Sequence, residues 1–329
     1  MPENSEGIMF KKLSKTAAAA VLLSAATIAT ISPAPASAVS APLSNAHIAL
    51  HFGYAKGQTP ENIALAPGGG EYVTFAAARQ IALVSPGGAI RVLATLPLPA
   101  DGGVHTPVLG FPLTVGIVRA DDGTLYFLYA TGTADLTGVW RLRPGGEPQR
   151  IAALPANGLP NGLALDPRTG TLYATDSVLG TIWSVPVTGG TPTAWSTAPQ
   201  LSPTGFLGAN GLKVHDGAVW AGNLDRGTVL RIPILRDGRA GAVLTRATGL
   251  TGIDDFAFTG RGDQILAALN GPSEVALVQP DGSHSIVLSP ADGLQNPTSI
   301  ALRGHTVYVM SAAYVTATDP NLLLAHLDR

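Results

Sequence analysis

Apolar residues in this chain fall into short runs closed off by glycine, proline and aspartate, and the runs recur in a fixed order. A hexad of the form Pro-X-Gly-[Ile/Leu]-Ala-Leu opens that order six times, at spacings of 44 to 54 residues. Its fullest copy is Pro160-Asn161-Gly162-Leu163-Ala164-Leu165, and Pro60-Glu61-Asn62-Ile63-Ala64-Leu65 and Pro297-Thr298-Ser299-Ile300-Ala301-Leu302 keep the same outline. Ten to twelve residues after each copy comes a second β-type run, such as Leu172-Tyr173-Ala174 or Val219-Trp220-Ala221. Turn signals such as Asp121-Asp122-Gly123 and His215-Asp216-Gly217 separate the two. A third run, at residues 81–84, 182–185 and 275–278 among others, leads into Pro86-Gly87-Gly88 or Pro280-Asp281-Gly282, and a fourth reaches toward the next hexad.

Runs this short, rich in β-branched and aromatic residues and bounded by turns, are strands. Three to four antiparallel strands per ~45 residues is the period of a propeller blade. The pattern therefore predicts an all-β fold: one six-bladed β-propeller with a central channel over residues 39–329. Residues 48–52 precede the first hexad and lack a local partner, so they are the candidate strand that closes the last blade.

Residues 1–38 follow a different logic. Lysines at 11, 12 and 15 precede an apolar run over residues 16–31, then Pro33, Pro35 and Ala36-Ser37-Ala38. That is the order of a secretory signal peptide, with cleavage between Ala38 and Val39. The apolar run is shorter and more alanine-rich than the ~20 residues a spanning helix needs. The expectation is a secreted, extracellular protein with no membrane association after cleavage, whose true start is Met1 or Met9. Composition agrees: 13% of residues are charged, glycine and proline number 39 and 26, and cysteine is absent. Stability must then come from packing rather than disulfides. Loss of residues 1–38 moves the formal charge from −2 to −3, and no basic patch suggests a nucleic-acid partner.

Candidate chemistry lies at X. In chain order this slot holds Glu61, Val115, Asn161, Asn210, Asp254 and Thr298. Radial repetition would bring the six to one height around the channel. Two carboxylates and two amide carbonyls, without histidine, cysteine or methionine, suit Ca2+, which takes six to eight oxygens; another divalent cation is the alternative. Asn and Asp also recur at strand starts simply because they bond nearby backbone, but a glutamate at the same register is harder to explain so. A one-residue slip would put Asp255 in place of Asp254.

The order Glu61, Asn161, Asn210, Asp254 around six blades resembles the gluconolactonase/regucalcin (senescence marker protein) family and the related calcium-dependent diisopropyl fluorophosphatase. The closest local match runs from Asn161-Gly162-Leu163 through Tyr173 and Asp176-Ser177 to Ile182-Trp183. The resemblance implies that Glu61, Asn210 and Asp254 bind Ca2+, that Asn161 is a fourth ligand or a substrate contact, and that Asp254 is the catalytic base. It implies a hydrolase acting on a lactone or ester in the central channel. Where sugar lactonases of that family carry a substrate-holding Arg and an acidic contact, this chain has Leu159 and Leu179. A plain aldonolactone is therefore not the expected substrate.

Two long loops are candidate parts of the substrate mouth. Residues 97–112 contain His105, either a substrate contact or an ordinary solvated loop histidine, and residues 311–321 contain Tyr314. The alternative function is a non-enzymatic extracellular propeller that binds a protein or glycan and keeps Ca2+ as a structural ion.

Overall fold

Each hexad begins the innermost strand of a four-stranded antiparallel sheet. The computed structural model describes residues 42–102 and 105–328, so the signal-like segment and its cleavage point before Val39 lie outside the described residues. The innermost strands are Pro60–Leu65, Leu113–Arg119, Pro160–Asp166, Ala209–His215, Ile253–Phe258 and Pro297–Arg303. In the first five sheets three further strands pair outward in chain order. In the sixth the outermost place belongs to Leu43–His51, which pairs antiparallel with Asn321–Leu327 and ties the start of the propeller to its end. This closing strand begins five residues earlier than residues 48–52, because residues 43–47 carry no apolar run and are held mainly through backbone pairing.

Neighbouring innermost strands pack side by side all the way round, the sixth against the first included. The core is not central but lies in the seams. Six clusters of buried apolar side chains each occupy one interface between adjacent blades. Trp220, fully buried, fills the seam between the fourth and fifth blades with Ile253 and Phe256, which is blade packing rather than a site. Threonine hydroxyls add ties across the seams: Thr298 Oγ1 donates to the Pro60 carbonyl at 2.8 Å, Thr175 Oγ1 to that of Asn210 at 2.5 Å, and Thr114 Oγ1 to that of Phe75 at 3.1 Å.

Register between the first and second strands of every blade slips at X. In the third blade Pro160 faces Asp176 and Leu163 faces Ala174, so Asn161 and Gly162 together oppose the single residue Thr175. The same bulge holds Val115-Gly116, Asn210-Gly211 and Asp254-Asp255, while the first and sixth blades insert one residue, Glu61 and Thr298. A bulge of this kind re-aims a side chain without ending the strand.

Glycine after X has a reason that is not conformational freedom. A Cβ on Gly211 would sit 2.5 Å from the Asp254 carbonyl oxygen and from Asp255 Cα, and one on Gly116 would sit 2.5 Å from the Asn161 carbonyl oxygen. The next blade's bulge already occupies that space. Replacing Gly211 by Ala should therefore cost about 1–3 kcal/mol of stability through overpacking. Gly68→Ala, where nothing lies within 4 Å of the added carbon, should be nearly neutral. Chemical denaturation of the two variants checks this, and equal stability would contradict the crowding.

Candidate functional site

The bulges aim four of the six X side chains into one space. Glu61, Asn161, Asn210 and Asp254 all line a cavity of about 260 Å³ at one end of the channel, together with Tyr314 and Asn270. Val115 is fully buried in the seam between the second and third blades, and Thr298 uses its hydroxyl on Pro60, so neither contributes to the cavity.

Among the residues lining this cavity none is lysine, arginine or histidine. Both carboxylates are consequently uncompensated. Burial drives the Glu61 carboxyl up to about 7, and the nearby Asp255 charge adds to that, against a hydrogen bond from Tyr314. Asp254 is raised well above the ordinary carboxylate value by burial first, then by the charges of Glu61 and Asp255; hydrogen bonds from Asn270 and Asn210 oppose the rise. Asn210, 1% exposed, leaves its Oδ1 without a hydrogen-bond partner. Two carboxylates that repel each other and one orphaned amide oxygen are a donor set that a hard divalent cation would satisfy, so the residues present fit Ca2+. Among the described residues no three His, Cys, Asp or Glu side chains converge; the candidate set holds two carboxylates and completes itself with amides.

Asp254 and Asp255 have separate fates. Lys213 Nζ lies 2.5 and 2.6 Å from the two oxygens of Asp255, and Asn62 Nδ2 donates to Asp255 Oδ2 at 3.2 Å. Asn62 belongs to the first blade and Asp255 to the fifth, so this bridge crosses the channel. Lys213 and Asn62 line a separate cavity of about 630 Å³, on which Asp254 and Glu61 do not border. Alignment on Phe256 thus identifies Asp254 as the residue at the candidate site.

Tyr314 and His105 also part ways. The Tyr314 hydroxyl donates to Glu61 Oε2 at 2.5 Å, and burial together with the Glu61 charge holds its own ionisation far above the ordinary range. It therefore acts as a fixed donor that orients Glu61. His105 does not line the cavity; its Nε2 pairs with Asp101 Oδ2 at 2.8 Å within the same loop, at a side chain 41% exposed. That loop contributes Leu109 and Phe111 instead. Leu159, at the position of the missing arginine, is fully buried in a seam, and its amide donates to Asp176 Oδ1 at 2.9 Å. Asp176 also receives the Val178 and Leu179 amides, which makes it a loop anchor.

Asn270, Asn296 and Asp225 lie outside the hexad, and the sequence reading misses them. Asn270 Nδ2 donates to Asp254 Oδ2 at 3.1 Å; the signal available was an asparagine one residue past the second strand of Asp254's own blade. Asn296 Oδ1 accepts the amides of Val315 and Thr316, fixing the loop that carries Tyr314. Asp225 accepts the amides of Thr204, Gly205, Phe206 and Leu207. Partial burial pushes the Asp225 carboxyl up, but these four donors outweigh it and hold it below its ordinary value.

No protein-family model and no curated protein sequence matches the chain. Solved structures do resemble it in fold. A regucalcin from Agrobacterium tumefaciens, described as a calcium-binding protein, superposes with a TM-score of 0.61 at 16% identity, over 83% of this chain and 92% of that one. A gluconolactonase from Xanthomonas campestris gives 0.59 at 13% identity, over 82% and 86%. A virginiamycin B lyase from Staphylococcus aureus gives 0.59 at 16%, over 82% and 81%. These likenesses show a shared β-propeller architecture, a scaffold that supports different chemistries.

The raised Glu61 carboxyl sets a pH dependence. Between its ordinary 4.5 and about 7 the folded chain holds a proton that the unfolded chain has released, so stability falls as pH rises through that window. In chelator, the melting temperature should drop from pH 5 to pH 8, and Glu61→Gln should make the slope shallower, with the raised carboxyls of Asp254 and Glu71 keeping the remainder. A parent and variant with parallel profiles would contradict the uncompensated pair.

Proposed function

We propose that the chain is a Ca2+-dependent hydrolase that acts on a lactone or ester entering the cavity above Glu61 and Asp254, and that residues 1–38 direct it out of the cell. One observation supports the hydrolytic site above all. Two buried carboxylates and an orphaned amide oxygen converge without any cationic side chain, at the floor of a largely apolar cavity. Uncompensated charges of this kind are a functional-site signature.

Glu61, Asn161, Asn210 and Asp254 would hold the cation, which when bound supplies Lewis-acid polarisation of a carbonyl oxygen and lowers the pKa of both carboxyls. The chain's own residues do the rest. Tyr314 holds one Glu61 oxygen and Asn270 one Asp254 oxygen, so both carboxylates keep a fixed rotation. Asp254 is the base that takes a proton from the attacking water. Asp255, held by Asn62 and Lys213, is kept apart from the cation-holding set. No arginine or lysine lines the cavity to hold a sugar, in keeping with a substrate other than a plain aldonolactone. A non-catalytic propeller with a structural ion would need the donor ring but would have no use for the cavity above it.

Turnover of a panel of lactones and aryl esters by the purified protein tests this reading. Activity should vanish in EDTA, return with Ca2+, and fall about 100-fold or more in Asp254→Asn. No turnover on any member, with Ca2+ present, would count decisively against a hydrolase.

A further inference from the structure

Above its polar floor the cavity is walled by loops that the propeller repeat does not dictate. Leu109 and Phe111 come from residues 97–112, Phe206 from residues 202–208, and Val315 from residues 312–320. Phe206 is 47% and Val315 78% exposed, although both border the mouth of a cavity. Exposed large apolar side chains at a concave site are informative where scattered ones are not. Nor is this placement loose. Four backbone amides donated to Asp225 shape the loop that presents Phe206, and Asn296 Oδ1 holds the Val315 amide at 2.9 Å.

The division of labour is sharp. All polar lining side chains belong to the floor or to its immediate supports, and none of the wall side chains carries a donor or acceptor. A polyhydroxylated body against such a wall would lose water without replacement partners. An alkyl chain would lose only unfavourable hydration.

We propose, building on the hydrolase reading, that the substrate is a lactone or ester carrying an alkyl chain. Its carbonyl sits at the floor beside Glu61 and Asp254 and its chain lies along Leu109, Phe111, Phe206 and Val315. In the reaction the water oxygen bonds to the carbonyl carbon as the acyl C–O bond breaks. Asp254 passes one water proton to the released alkoxide, the other leaves with the acid, and no oxidant or reductant is required.

The test is a series of γ-lactones from four to twelve carbons, with gluconolactone alongside, assayed on the Ca2+-loaded protein. Each methylene that reaches the wall should raise kcat/KM about three- to fourfold, and gluconolactone should fall at or below the unsubstituted ring. Phe206→Ser and Val315→Ser should flatten the series. Non-hydrolysable 2-alkylcyclopentanones, followed by calorimetry, should show the same chain-length trend in affinity and the same loss in Phe206→Ser. Chelator-sensitive turnover that ignores chain length, or that favours gluconolactone, would overturn the alkyl substrate and leave the hydrolase standing. Absence of turnover across the whole series would overturn the hydrolase itself.

Discussion

In the second, third and fourth blades the inner strands start so close to the next blade that a single added carbon after X collides with its backbone. That crowding governs everything else in the molecule. It demands glycine at Gly116, Gly162 and Gly211 beside the bulges of those blades, and the bulge at X turns side chains from blades far apart in sequence toward one small volume. Glu61 and Asp254 are 193 residues apart and belong to blades that are not neighbours, yet the closed ring gives them no way to separate. Their burial and mutual repulsion are a standing cost that the scaffold imposes, and a site that binds a cation is the functional use of such a cost.

The chain has a lysine available for this end of the channel and does not use it there. Lys213 goes to Asp255, one residue along from Asp254, and with Asn62 forms a bridge across the channel. The result is two compartments with opposite character: a small cavity with uncompensated carboxylates and apolar walls, and a larger, open one that Arg119, Asp121 and Lys213 border.

Much of this was legible in the sequence because repetition exposes it. Blade count, the inner strands and the alignment of Glu61, Asn161, Asn210 and Asp254 follow from one recurring hexad, whose copies report on each other. Ambiguity between Asp254 and Asp255 arose where alternation fails, since a bulge puts both residues opposite the single position Ala268. Only the neighbours resolve it. Loop length alone points to His105, but the loop faces the cavity with Leu109 and Phe111, and nothing in its composition marks those two apart from the histidine. Asn270, Asn296 and Asp225 act through contacts between segments whose geometry no period encodes. A long loop marks Tyr314 in the sequence, whereas its part in orienting Glu61 depends on a contact between residues 253 positions apart.

Binding of a divalent cation by the X side chains Glu61, Asn161, Asn210 and Asp254 is the central claim to test. Calorimetric titration of the purified protein with Ca2+ near pH 7 addresses it most directly. The predicted result is one ion per chain, with protons released on binding as Glu61 and Asp254 ionise, seen as a binding enthalpy that varies with the ionisation enthalpy of the buffer, and with binding lost in Asp254→Asn. Absence of binding, or binding that survives Asp254→Asn undiminished, would contradict it.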